Sequence, residues 1–216
     1  MPTATLWRDQ TLRMSAATAR RRRPRRRVVV VLVALAVAGL AITWWVSKPP
    51  AAPTTVAVVG DSITYLSRAD IAARLDAAGY HPTVVSLPGT KLAQAEATVA
   101  RLASTHPDIW VMELGTNDAG SKNPDWATPF NTEWREMASA GCVIYVSVSP
   151  RVSPVGDQIN AAIRSLAARH GNVHVLDWGA LEYTHSGWLR PDGIHPTPAG
   201  QEELAMLELQ AIQQHC

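Results

Sequence analysis

Several common signatures are missing from this chain. No Gly-x-Ser-x-Gly occurs in its 216 residues, which excludes the nucleophile elbow of the ordinary α/β hydrolases. No pair of histidines stands at zinc-ligand spacing with a cysteine or acid in support, so no metal centre is expected. There are no internal repeats, and no low-complexity tract beyond a run of arginines. Only two cysteines occur, Cys142 and Cys216, so none is available for lipid attachment near the amino-terminal apolar segment. A basic surplus is also lacking outside one short stretch. The formal charge of +2 hides nine arginines in the first 27 residues, opposed there only by Asp9. Beyond residue 27 the chain carries 11 basic and 17 acidic side chains, so nucleic-acid binding is not indicated.

The arginine tract is followed by Val28–Val46, nineteen residues without a charge. As a helix rising about 1.5 Å per residue this stretch is about 28 Å long, close to the hydrocarbon thickness of a bilayer. Trp44 and Trp45 stand at its far end, where indole rings favour the membrane interface. The basic cluster before it, with only Lys48 just after, predicts a cytoplasmic amino terminus and an extracytoplasmic remainder. Ala36-Val37-Ala38 fits a signal-peptidase site, but the apolar run continues past it, which favours an uncleaved anchor. The expected organisation is a basic cytoplasmic tail over 1–27, a single-pass signal-anchor helix over 28–46, a Pro-rich linker over 47–54 and a catalytic domain over 55–216.

In that last segment strand and helix patterns alternate. Continuous apolar runs predict strands at 55–60, 82–87, 108–114, 142–149 and 172–178. Helical patterns cover 63–79, 93–103, 126–140, 155–170 and 198–214. Alternation with connections long enough for crossovers predicts an α/β fold, a parallel sheet with helices on both faces. Chemistry in such a sheet belongs at the carboxyl ends of the strands.

Three loops there carry reactive side chains. Thr55-Val-Ala-Val-Val-Gly60 runs into Asp61 and Ser62, which places a hydroxyl at a helix start where N–H groups favour an anion; the same pair also suits simple helix capping. Gly115-Thr-Asn-Asp118 ends the third strand, and the Asn117 amide is an oxyanion donor that needs no ionisation, or alternatively an Asx-turn residue. Asp192-Gly-Ile-His195 precedes the last helix, at a spacing that lets the carboxylate reach Nδ1 of the imidazole. The other histidines, His81, His106, His170, His174, His185 and His215, read as solvated; His185 alone falls in an active-edge loop and stays unassigned.

Nucleophile, oxyanion donor, base and orienter are the parts acyl transfer requires. With Gly60-Asp61-Ser62, Gly89, Gly115-Thr116-Asn117-Asp118 and Asp192-Gly193-Ile194-His195 in this order, residues 55–216 resemble the SGNH hydrolase family, also called GDSL-type esterases. Two departures from its pattern are that Ile63 stands where the name motif has Leu and that Ser86-Leu-Pro-Gly-Thr lacks the extra Gly or Asn often found before Gly89.

The resemblance implies a three-layer α/β/α, flavodoxin-like fold with a five-stranded parallel sheet. It implies catalysis by Ser62, Asp192 and His195, an oxyanion hole from Ser62, Gly89 and Asn117, and no cofactor. No long apolar insertion is present to form a lid, which argues against long-chain lipids. Trp178, Tyr183 and Trp188 flank the last loop and suit stacking on sugar rings, or core packing. The expected activity is removal of acetyl or another short acyl group from a cell-envelope glycan or glycolipid. The alternatives are an acyltransferase, working with a membrane-embedded acyltransferase partner, and a non-catalytic glycan-binding module. Parallel α/β geometry adds a disulfide between Cys142 and Cys216. Cys142 opens the fourth strand, and the last helix runs back toward that same edge.

Overall fold

The computed structural model describes residues 54–216 except 123 and 186. The expectations for the tail, the anchor helix and nearly all of the linker lie outside the described residues. Among the described residues no helix is long and apolar enough to cross a membrane.

Five strands, β1 (Thr55–Gly60), β2 (His81–Ser86), β3 (Ile109–Glu113), β4 (Cys142–Val146) and β5 (Val173–Leu176), form one sheet. Its order is β2-β1-β3-β4-β5, and every neighbouring pair is parallel. Among the described residues seven helices alternate with them: α1 (Ser62–Ala77), α2 (Leu92–Ala103), α3 (Thr116–Ala119), α4 (Ala127–Met137), α5 (Pro154–Arg169), α6 (Trp178–Thr184) and α7 (Pro198–His215).

Successive strand side chains point to opposite faces, and the sequence fills both with apolar residues. Ala57, Val59, Trp110, Met112, Val143 and Tyr145 face a core closed by α2, α4 and α5. Val56, Val58, Val111, Ile144 and Val146 face a second core closed by Ile71 and Leu75 of α1 and Leu204 and Ile212 of α7. The result is a three-layer α/β/α domain. Strand order reverses between β1 and β3, so the loops leaving those two strands diverge and open a crevice at the carboxyl edge.

Two short helices, α3 and α6, were not expected. The second corrects the predicted fifth strand, which ends at Leu176; Trp178 begins a helix and is fully buried. Among the described residues α7 runs back along the sheet to the amino edge, and its terminal Cys216 is disulfide-bonded to Cys142, with Cα atoms 5.6 Å apart.

Candidate active site

Tight packing where β1 ends sets the position of Ser62. A Cβ on Gly60 would fall 1.7 Å from the Thr64 hydroxyl, so only glycine lets the first turn of α1 fold over the strand end. Asp61 caps α1, its Oδ1 accepting the Ile63 N–H at 3.0 Å. Ser62 is therefore the first helical residue, at the positive end of a sixteen-residue helix, and its own N–H has no intrahelical acceptor.

His195 reaches Ser62 from the loop between α6 and α7. That loop is pinched at its base by an antiparallel bridge between Leu189 and Pro196. The Arg190 N–H donates to the His195 carbonyl at 2.8 Å, and the Thr197 N–H donates to the Trp188 carbonyl at 2.8 Å. Inside it, Asp192 Oδ1 accepts the N–H groups of Ile194 and His195, both at 2.9 Å. Asp192 Oδ2 lies 3.0 Å from His195 Nδ1, and His195 Nε2 lies 3.0 Å from Ser62 Oγ. The N–H groups of His195 and Ile194 hold the Asp192 carboxyl down to about 2, so it is ionised at any working pH.

Asn117 stands on α3, just after β3. Its Nδ2 donates to Asp61 Oδ2 at 3.0 Å and to the Thr90 carbonyl at 3.1 Å. The adjacent Asp118 accepts the Leu92 N–H at 3.0 Å and so fixes the start of α2. Two neighbouring side chains thus tie the β3 end to both the β1 end and the β2–α2 loop. Gly89 lies in that loop at φ +79°, a conformation that strains any residue with a Cβ. Its N–H meets no acceptor among the described residues. A cavity of about 330 Å³ opens beside it, lined by Gly60, Ser86, Gly89, Thr90, Gln94 and Thr98 among others.

Four acids lie beneath this edge, of which the sequence singles out only Asp61, as a helix cap. Asp61 is completely buried, and burial pushes its carboxyl up to about 6, against the opposing pull of the Ile63 N–H, the His195 charge and the Asn117 amide. Glu113 accepts a hydrogen bond from the Thr64 hydroxyl and is pushed well above the usual range by burial, then by the neighbouring Glu208 and Asp61. Burial raises Glu208 to about 8 and Glu182 to about 7. The sequence signal for Asp61 was its place beside Ser62. Glu182 and Glu208 carry none, since Glu182 is the one acid of the short α6 and Glu208 one of three on the mixed helix α7.

The aromatic residues divide. Trp178 is core, which corrects its candidacy for sugar stacking. Trp188 stacks between it, at 5.7 Å, and His185, at 4.0 Å, bracing the root of the His195 loop. Tyr183 is exposed.

Residues 58–203 match the GDSL-like Lipase/Acylhydrolase family. A putative peptidoglycan O-acetyltransferase, YrhL of Bacillus subtilis (strain 168), is 26% identical over 170 residues, covering 77% of this chain but only 25% of that relative. Among solved structures, TesA superposes with a TM-score of 0.61 at 25% identity, over 76% of this chain and all of the other. The catalytic domain of peptidoglycan O-acetyltransferase A from Streptococcus pneumoniae gives 0.63 at 15% identity, over 76% and 94% of the two chains. Axe2, an acetylxylan esterase from Geobacillus stearothermophilus, gives 0.62 at 16% identity, over 74% and 95%. The last two likenesses establish the fold alone. The match over 58–203 does more: this chain belongs to the GDSL-like lipase/acylhydrolase family, the SGNH hydrolases, and is a serine enzyme acting on ester bonds.

Proposed function

We propose that the chain is a membrane-anchored, extracytoplasmic esterase that removes acetyl or another short acyl group from a cell-envelope glycan, with Ser62 as nucleophile. The observation that carries this reading is the continuous hydrogen-bonded line from Asp192 through His195 to Ser62, each link 3.0 Å long. Ser62 Oγ attacks the ester carbonyl as His195 Nε2 takes its proton, and Asp192 steadies the imidazolium. The imidazolium then returns that proton to the departing sugar oxygen. A water molecule, deprotonated by the same nitrogen, cleaves the acyl-serine to carboxylic acid and free hydroxyl.

The tetrahedral oxyanion is held by the N–H groups of Ser62 and Gly89, which meet no acceptor among the described residues, and by the Asn117 amide. To donate, Asn117 exchanges its hydrogen bond to the Thr90 carbonyl for one to the oxyanion while keeping Asp61. The cavity beside Gly89 gives a short acyl chain room.

The full-length chain should hydrolyse 4-nitrophenyl acetate. Ser62→Ala should abolish this with the fold intact, and Asn117→Ala should lower kcat roughly a hundredfold or more with KM little changed. Residual turnover by pure Ser62→Ala protein would remove Ser62 from the role.

Transfer is the second reading, because the Bacillus relative is named an O-acetyltransferase. The chain spans a quarter of that relative's length. Acetyl appearing on an added sugar acceptor faster than free acetate appears would favour transfer over hydrolysis.

The anchor is supported by the uncharged run over 28–46 behind its arginine cluster. A reporter fused after Cys216 should be active only outside the cytoplasmic membrane, and full-length protein should stay with membranes through a high-salt wash. Release of a shorter mature form would mean cleavage near Ala38 instead.

A further inference from the structure

Among the described residues the large hydrophobic side chains that stand exposed are Tyr65 (37%), Leu87 (66%) and Tyr183 (58%). All three lie at the carboxyl edge of the sheet. Tyr65 is in the first turn of α1, three residues after Ser62; Leu87 follows β2; Tyr183 is on α6, after β5. Exposure of apolar surface is common, but its confinement to the rim of one site marks that rim as a contact surface.

Both tyrosines carry an arginine. The Arg68 guanidinium sits over the Tyr65 ring, 4.0 Å from its centroid, and that of Arg151 sits over the Tyr183 ring at 4.3 Å. Arg68 Nη1 also donates to the Tyr65 carbonyl, which holds the plane against the ring. A guanidinium stacked on an aromatic face spends its face, not its edge, so N–H groups remain to grip a planar oxyanion. Among the described residues neither arginine has a carboxylate within ion-pair distance. Both are held by stacking, Arg68 with no acid in contact and Arg151 near enough to Glu182 for its charge to lower that carboxyl, in a chain whose residues beyond 27 carry 11 basic and 17 acidic side chains. Because salt screens charges beyond about 8–10 Å, the acidic surface elsewhere weighs little here; of the acids at this edge Asp192 is ionised and Glu182 is raised to about 7 by burial.

The pairs are also spread along the carboxyl edge. Strand β4, whose end loop carries Arg151, lies two strand spacings from β1, about 10 Å, and β5 lies about 14 Å away. A small ester at Ser62 does not bridge that span; a chain of linked sugars does.

We infer that the two arginine-capped tyrosines, Tyr65–Arg68 and Tyr183–Arg151, form a rim that binds a negatively charged glycan chain, its carboxylate or phosphate groups taken by the arginines and its sugar faces by the rings. This deepens the reading of Ser62 as an esterase centre and rests on it.

The test compares kcat/KM on an O-acetylated polyuronate with that on an O-acetylated neutral xylan, using the full-length chain. At low salt the ratio should be about tenfold or more in favour of the polyuronate, falling toward one in about 0.5 M NaCl. Arg68→Gln/Arg151→Gln should bring the ratio near one at low salt. A ratio near one in the unaltered chain, or one unmoved by the double substitution, overturns the inference. A binding arm needs no turnover. The Ser62→Ala chain should be retarded in affinity electrophoresis by polyuronate or by poly(glycerol phosphate) more than a Ser62→Ala/Arg68→Gln/Arg151→Gln chain with the same arginine tract, and xylan should retard neither. The polymer that separates the two chains more identifies carboxylate or phosphate as the preferred anion, and equal migration of the two chains in every polymer overturns the proposal. Failure of the esterase reading looks different: no hydrolysis of any ester, 4-nitrophenyl acetate included, while the binding arm still decides the rim.

Discussion

Asp192 and Asp61 both feel the His195 charge, yet the two regions that carry them treat a carboxylate in opposite ways. The loop at 189–197 leaves Asp192 half open to water and aims two backbone N–H groups at one oxygen, which holds the carboxyl down to about 2. The β1–α1 turn buries Asp61 completely, and burial pushes the same group up to about 6. Charge is secured in the first place by donors and made costly in the second by the loss of water. Function divides along that line. Asp192 meets the imidazole directly, while Asp61 touches Ile63 and Asn117 and influences His195 only through space. In the proposed mechanism the carboxylate nearer the solvent suits the orienting role better, because its negative charge is permanent.

The largest expected break in this comparison is Asp192→Asn. An amide there offers N–H groups to Nδ1 and selects the tautomer that leaves Nε2 protonated and unable to accept from Ser62. We expect kcat on a small acetate to fall by about 10³-fold or more, with KM nearly constant, in steady-state kinetics. A fall of less than about tenfold would mean that a group other than Asp192 orients His195.

The same two regions show how far residues alone could be read. Ser62, Asn117, Asp192 and His195 were each legible because a strand's apolar run ends just before them, or a short spacing ties acid to imidazole. The five strands were legible for the same reason: runs such as Trp110-Val111-Met112 are apolar on both faces, and only a parallel sheet covered twice accepts that. What stayed hidden depends on three-dimensional closeness between residues far apart in the chain. The Asn117 contact with Asp61 spans 56 positions, and nothing in either loop announces it. The helix at Trp178 was missed because an apolar residue after a strand looks like more strand until its burial against Trp188 is known. The arginine-capped tyrosines were invisible as pairs, since Arg151 and Tyr183 meet only when β4 and β5 lie side by side.

The smallest expected effect, and the one that sharpens the comparison most, is on stability. For Asp61 the folded pKa, about 6, lies above the usual 3.8. As pH rises from 4, the unfolded chain ionises first while the folded chain keeps its proton, so folding becomes less favourable until the folded group also ionises. The stability that Asp61 supplies as a neutral acid is complete below about pH 4 and lost above about pH 6, with a ceiling of about 3 kcal/mol. Asp61→Asn removes that titration, at the cost of one acceptor in a buried pair. Its stability relative to the unaltered chain should therefore move in the variant's favour by about 2 kcal/mol between pH 4 and 7.5, measured by urea unfolding. Asp192 carries the opposite sign, because its folded value lies below the usual one. Its contribution is present above pH 4 and fades only as pH falls toward 2. The difference between Asp192→Asn and the unaltered chain should then stay flat across the same window. Each substitution removes one carboxylate, so effects of net charge are shared, and the contrast in slope isolates the surroundings of the two groups. Parallel slopes for the two variants would show that burial at Asp61 does not set its titration, and the contrast between the two regions would fall.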